Sequence, residues 1–354
     1  MSGRLLSVRD LAVRFRTEDG PVYAVNGVDL ELDEGETLGL VGESGSGKSV
    51  TSLAVIGLLP KPAGRVERGE ILFQGRDVTK LPESELRRIR GKEIAMVFQD
   101  PMTSLNPVLT IEEQIVETIR AHQTVPAAQA RARAVELLGL VGIPRPEEQL
   151  RRYPHQFSGG MRQRVMIAIA LALRPRLLIA DEPTTALDVT IQAQILELLE
   201  ELTAESGTAV LLISHDLGIV ARTTRRIAVM YAGFVVESAG TGELFARPRH
   251  PYTVGLLHSI PRLDADPAAE LSPIEGAPPD QRSEPVSCPF APRCAWRVEA
   301  CWTAMPPLAP AAGREEGHLV ACFNPVSPRE VALGRPSRPG FAPAPDPAGA
   351  VVHV

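Results

Sequence analysis

Between residue 1 and about residue 260, short continuous apolar runs take turns with longer segments whose apolar residues recur every three or four positions. The runs at 5–15, 37–41, 94–97, 177–180, 209–213 and 226–230 predict β-strands. The periodic segments at 49–59, 111–122, 127–140, 161–173, 190–206 and 217–223 predict helices. Runs 177–180 and 209–213 hold no polar position, as in parallel strands covered on both faces. Strands interleaved with helices argue for an α/β core. Beyond residue 260 the pattern dissolves. Eighteen of the 32 prolines fall in 261–354, where their missing backbone donors disfavour regular structure. The stretch 326–354 reads as a proline-rich disordered tail.

Composition narrows the classes. Hydrophobic residues at 44% and charged residues at 23% are ordinary for a globular chain that buries a core. Aromatics at 4% leave that core to Leu, Val, Ile and Ala. A net charge of −6 gives no basic face for nucleic acid, and Arg87, Arg88 and Arg90 read as a solvated helix face. The longest apolar run, 165–173, has nine residues, against about 20 for a bilayer span. Arg4, Arg9 and Asp10 interrupt the opening segment, which lacks the apolar stretch of a secretion signal. These features predict a cytosolic chain whose membrane role, if any, runs through a partner.

Three motifs carry chemistry. Gly42-Glu43-Ser44-Gly45-Ser46-Gly47-Lys48-Ser49 follows the run at 37–41 and opens the helical segment at 49–59. It matches a phosphate-binding loop at every defined position: glycines let backbone N–H groups curl around phosphates, Lys48 reaches the β- and γ-phosphates, and the Ser49 hydroxyl suits Mg²⁺. The apolar run at 177–180 ends in Asp181 and Glu182. Asp181 fits a Mg²⁺ holder, and Glu182 fits the base that polarises an attacking water. His215 ends the run at 209–213 on the same predicted sheet edge, where ligands of parallel sheets bind, and so suits a γ-phosphate contact.

Tyr153-Pro154-His155-Gln156-Phe157-Ser158-Gly159-Gly160-Met161-Arg162-Gln163-Arg164 resembles the signature of ABC ATPases, departing from Leu-Ser-Gly-Gly-Gln only at Phe157 and Met161. Ser158, Gly159 and Gly160 would form a second anion-holding helix start. Gln99 resembles the family's Q-loop glutamine, Ala186-Leu187-Asp188 its D-loop, and Tyr23 its adenine-stacking aromatic. Asp100-Pro101-Met102-Thr103-Ser104-Leu105-Asn106-Pro107, Tyr153-Pro154-His155-Gln156 and His250-Pro251-Tyr252-Thr253 narrow the resemblance to the ATP-binding subunits of dipeptide, oligopeptide and nickel importers. It extends from residue 1 to about 325.

The resemblance implies a RecA-like P-loop NTPase core over 1–260, a helical subdomain at about 100–170 and a C-terminal extension over 261–325. It implies ATP held by Gly42, Ser44, Gly45, Ser46, Gly47, Lys48, Ser49, Val50 and Gln99, with Mg²⁺ on Ser49, Gln99 and Asp181. A second ATPase subunit, homologous or identical, would close Ser158–Gly160 over the γ-phosphate while Glu182 and His215 direct water. Two permeases and an extracytoplasmic binding protein complete the implied importer, with this subunit peripheral on the cytoplasmic face of the bacterial plasma membrane. Peptides are the implied cargo, with nickel or glutathione as alternatives. An exporter ATPase and a soluble nucleic-acid-associated ABC ATPase are the rivals. All four cysteines, Cys288, Cys294, Cys301 and Cys322, lie in the extension. Their spacing is too wide for ordinary structural zinc. The family resemblance points to a [4Fe–4S] cluster, with zinc or four unligated thiols as the alternatives.

Overall fold

A computed structural model of the chain describes residues 3–185, 187–259, 274–311, 317–327 and 330–331. In chain order its strands are β1 (Arg4–Thr17), β2 (Gly20–Asp33), β3 (Thr37–Val41), β4 (Gly64–Phe73), β5 (Arg76–Asp77), β6 (Ile94–Val97), β7 (Leu177–Asp181), β8 (Ala209–Ser214), β9 (Arg226–Tyr231), β10 (Phe234–Gly240), β11 (Ala309–Pro310) and β12 (Leu319–Val320). The helices are α1 (Lys48–Val55), α2 (Glu83–Ile89), α3 (Pro101–Ser104), α4 (Ile111–His122), α5 (Ala127–Leu140), α6 (Pro146–Gln149), α7 (Gly159–Leu171), α8 (Val189–Ser206), α9 (Leu217–Thr223), α10 (Thr241–Ala246), α11 (Pro251–His258) and α12 (Ala300–Thr303).

The larger sheet runs β11-β12-β10-β9-β3-β8-β7-β6, and its β9-β3-β8-β7-β6 portion is parallel. Every residue of β7 and β8 is buried. Side chains alternate across a strand, and the two faces meet different cores. Leu177 and Ile179 join Leu38, Leu40, Leu211 and Ile213 in one cluster, which also takes the inner face of the second sheet. Leu178 turns to the opposite face and the helices α4, α5, α7 and α8. The second sheet, β2-β1-β4-β5, is antiparallel. Its β2 and β4 escape a search for continuous apolar runs because many of their positions face outward, and in β10 Glu237 and Ser238 interrupt the apolar run. In β2, Asp29, Glu31 and Val25, Val28, Leu30 take opposite faces. The helix expected at 49–59 stops at Val55. Gly57 sits in the left-handed region at φ 69°, returns its N–H to the Ala54 carbonyl, and Pro60 follows.

The C-terminal extension is built onto the main body. Strand β12 pairs with β10 at Glu237–Val320, which covers that edge of the sheet. Phe290 stands edge-on to Tyr231 and Tyr252, with ring centres 5.2 and 5.5 Å away. Phe290 and Cys294 are buried in the same cluster as Val229, Tyr231 and Tyr252.

That packing corrects the cysteine expectation. Among the described residues, no group of three or more His, Cys, Asp or Glu is placed to hold a metal ion. All four cysteines are free, and Cys294 and Cys301 are buried. Burial, more than their mutual repulsion, pushes the Cys294 and Cys322 thiols up to about 12. Neither the [4Fe–4S] nor the zinc reading survives. The extension packs Phe290 and Cys294 against Tyr231 and Tyr252 of the main body. The boundary expected at 260–261 and nearly all of 326–354 lie outside the described residues.

Candidate functional site

Register sets the site. Within the parallel sheet Val41 pairs with both Ser214 and Val229, and Asp181 pairs with Ile213. The loops leaving β3, β7 and β8 therefore emerge together at the carboxyl edge. Ligands of such sheets bind there.

The loop after β3 wraps the start of α1. Gly47 caps that helix at φ 101°, and a side chain there would meet the Ala24 carbonyl oxygen at 2.6 Å. Only glycine fits. Lys48 is buried, and its ammonium donates to the carbonyls of Gly42 at 2.8 Å and Glu43 at 2.9 Å. Burial lowers its pKa, and the charges of Glu182, Asp181 and Glu43 oppose that shift. A desolvated cation facing a ring of backbone amides is an anion site. Next to it the Ser49 hydroxyl donates to Asp181 at 3.1 Å. Asp181 is itself buried, and desolvation raises its pKa against the opposing Ser49 hydrogen bond.

Glu182 occupies the left-handed region at φ 46°, where a side chain costs of order 1–3 kcal/mol. Its N–H donates to the Ile213 carbonyl at 3.0 Å, and its carbonyl accepts from Thr185 N at 3.2 Å, which holds the turn. One carboxylate oxygen, Oε2, is the meeting point. It accepts from Gln99 Nε2 at 3.1 Å and Thr185 Oγ1 at 2.9 Å, and lies 3.2 Å from His215 Nδ1. Phe15, Val22, Ala24, Ser44, Gly45, Gly47, Lys48, Ser49, Val50, Gln99, Glu182, His215 and Gln281 line a single cleft of about 420 Å³. Such a volume suits a nucleotide-sized ligand.

Residues 25–185 match the family model described as ABC transporter, and residues 236–301 match the one described as the C-terminal region of oligopeptide/dipeptide transporters. The chain is 54% identical to the oligopeptide transport ATP-binding protein OppD of Bacillus subtilis (strain 168), over 86% of this chain and 85% of that one. It is 52% identical to the dipeptide transport ATP-binding protein DppD of the same organism, over 90% and 94%. The chain belongs to the ATP-binding proteins of oligopeptide and dipeptide ABC transporters. The fold agrees with a solved dimer of the ATP-binding cassette MJ0796 bound to ADP and phosphate. That match has a TM-score of 0.60 at 30% identity and covers 67% of this chain and 98% of that one. The relatives' names give ATP as the bound group.

Against the ABC frame, most expected residues converge and a few stand elsewhere. Lys48, Ser49, Asp181, Glu182, Gln99 and His215 meet as described. Gly42 and Ser46 lie behind the cleft wall, and Ser46 N–H closes the turn on the Glu43 carbonyl at 3.2 Å. Tyr23 does not line the cleft. The Arg14 guanidinium covers its ring at 3.8 Å, while its strand neighbours Val22 and Ala24 face the cleft. Phe15 is the aromatic that lines it, a residue missed from sequence. The signal lay in strand alternation and hairpin pairing: Phe15 faces Val22, whereas Arg14 faces Tyr23.

Ser158 caps α7, with its hydroxyl accepting from Met161 N at 3.4 Å, and Ser158 and Gly159 are exposed. None of Ser158, Gly159 or Gly160 lines the cleft of its own chain. The motif's two departures are packing residues. Phe157 is buried in the helical core, and Met161 leans against it. Of the D-loop residues, Ala186 lies outside the described residues, Asp188 caps α8, and a side chain at Gly159 would sit 3.5 Å from Leu187.

Proposed function

We infer that this chain binds ATP with Mg²⁺ in the cleft at the carboxyl edge and hydrolyses it to drive peptide import through partner permeases. The observation that carries the reading is Glu182 Oε2 held between Gln99, Thr185 and His215, beside the buried Lys48 ammonium. A carboxylate fixed in this way is set to accept a proton from water aligned on a γ-phosphate. Lys48 and backbone amides within 44–49 would take the phosphates, and Phe15 would stack on the base.

The fit to Mg²⁺ rests on donor chemistry. The Ser49 hydroxyl and the Asp181 carboxylate stand 3.1 Å apart, hard oxygens of the kind that cation prefers, with the Gln99 amide across the cleft. When bound, the cation neutralises phosphate charge. Gln99 and His215 then orient the water while Glu182 takes its proton.

Ser158, Gly159 and Gly160 do not line their own cleft, so they would serve the γ-phosphate of another subunit. The solved dimer of MJ0796, a bacterial ABC transporter cassette, supports that arrangement. The second subunit would be a homologous ATPase or a second copy. Permease docking would fall on the segment after Gln99, where Met102 and Val108 expose 60% and 75% of their surface. No helix of the described residues is long and apolar enough to cross a membrane, which fits a peripheral subunit on the cytoplasmic face. An extracytoplasmic binding protein would deliver the peptide. In this reading the cassette spans 1–260, with its helical subdomain at about 100–170, and the extension spans 261–325.

Replacing Glu182 by Gln should lower ATP turnover by about 100-fold or more while ATP binding persists. Steady-state phosphate release beside nucleotide binding measures both. Unchanged turnover would refute the role of Glu182.

A further inference from the structure

The extension does more than dock. Residues 274–293 return to the phosphate loop and hold it at two places, Gly45 and Glu43, with a further tie to β2 and a third loop contact from Tyr252. Gln281 Nε2 donates to the Gly45 carbonyl at 2.8 Å, and the Gln281 carbonyl accepts from Tyr23 N at 2.8 Å. Arg293 spans both carboxylate oxygens of Glu43, at 2.8 and 3.1 Å, with only 6% of its side chain exposed. The Tyr252 hydroxyl accepts from Glu43 N at 2.8 Å. Arg293 also donates to the carbonyls of Ile274 and Glu275, so one guanidinium ties the start of the returning segment to the loop. Arg14–Glu284 at 3.2 Å and Arg282–Asp19 at 3.7 Å fasten the far end to the β1–β2 hairpin.

These contacts bear on the turn that faces phosphate. The Gly45–Ser46 peptide is fixed from both sides: its N–H closes on the Glu43 carbonyl and its carbonyl is capped by Gln281. Because the peptide unit is planar, holding the carbonyl also holds the Ser46 N–H on Glu43, so this peptide braces the turn rather than donating to phosphate. Glycine at 45, at φ 77°, has little conformational preference of its own. A loop that must present several N–H groups at once loses affinity if each has to be ordered on binding.

We propose that the C-terminal extension shapes the phosphate loop of its own chain, with Gln281 and Arg293 as positioning residues for nucleotide acting through Gly45 and Glu43. This rests on the reading of 42–49 as the ATP loop. Gln281 is half-buried at the cleft wall and belongs to no apolar cluster, so its truncation leaves the core intact. Arg293→Lys keeps the charge but loses the fork that spans Glu43.

The test measures affinity of the full-length chain for a fluorescent ATP analogue and, by competition, for inorganic tripolyphosphate, with thermal melting alongside. Gln281→Ala should weaken both ligands equally, by about five- to tenfold, with an unchanged melting temperature. Arg293→Lys should weaken both as well. Lys48→Ala serves as the reference and should abolish binding of both. If Lys48→Ala binds normally, the ATP-loop reading itself falls. If Lys48→Ala fails to bind while Gln281→Ala keeps wild-type affinity, the bracing role falls and the ATP loop stands. Loss of ATP affinity without loss of tripolyphosphate affinity would also overturn it, since the amide would then be touching the nucleoside.

Discussion

A difference of one residue in strand register decides which aromatic faces the cleft. Phe15 and Tyr23 lie on paired strands, yet Phe15 lines the cleft and Tyr23 lies under the Arg14 guanidinium. Phe15→Ala should raise the dissociation constant for ATP by about tenfold, because a stacked base is worth roughly 1–3 kcal/mol. Tyr23→Ala should change it less than twofold, and titration with a fluorescent ATP analogue separates the two. This was the part of the site that the sequence obscured. Lys48, Ser49, Asp181 and Glu182 could be placed from sequence because each directly follows an apolar run or a glycine-rich turn. Phe15 and Tyr23 are separated only by facing, and facing depends on how a hairpin pairs. Gln281 was hidden for another reason. It acts from a proline-rich segment more than 230 residues downstream of the loop it touches, and no local pattern encodes that return.

At the scale of elements, the parallel strands were readable because burial on both faces leaves unbroken apolar runs. Strands β2 and β4 were not, since a half-exposed strand spreads its apolar residues over alternate positions, and in β10 the buried Glu237 breaks the run. The start of α7 was legible as a capped Ser-Gly-Gly turn, and it leaves little room at Gly160. A side chain at Gly160 would stand 2.8 Å from Ile191 on α8. Gly160→Val should push α7 from α8 and spoil the turn that a second subunit needs. ATPase activity of the assembled transporter should fall by about 100-fold, the scale of losing a key anion donor. ATP binding by the isolated subunit should stay within twofold, because Gly160 does not line its own cleft.

Across the whole molecule, main body and extension share polar groups that only the folded chain can satisfy. Glu237 is fully buried and accepts from Arg249 N and His250 N, with His318 Nε2 at 2.8 Å. His250 is buried with it, and its Nδ1 accepts from Tyr252 N at 3.1 Å, a bond that only the neutral ring can make. Desolvation, partly opposed by Glu237, lowers the His250 pKa to about 4. An unfolded chain would bind that proton near pH 6.5. The stability tied to neutral His250 is thus complete above pH 6.5 and is lost as pH falls toward 4, by on the order of 3 kcal/mol. Melting curves between pH 7.5 and 4 should show this decline, and His250→Asn, which can still cap α11, should flatten it. A variant with the same acid sensitivity as the parent would place the titration elsewhere.

The pairing of β12 with β10 and the return of Gln281 to Gly45 have a consequence for how the molecule is made. Domains form from the N-terminal side as the ribosome extends the chain, and the glycine-rich turn leaves the exit tunnel long before its brace does. Every nascent copy therefore passes through a stage with β10 bare at its edge and the turn around Gly45 unheld. A message cut short upstream of codon 274 would leave its product in that stage permanently: a cassette with all its catalytic groups, a sticky flank and a slack grip on its fuel.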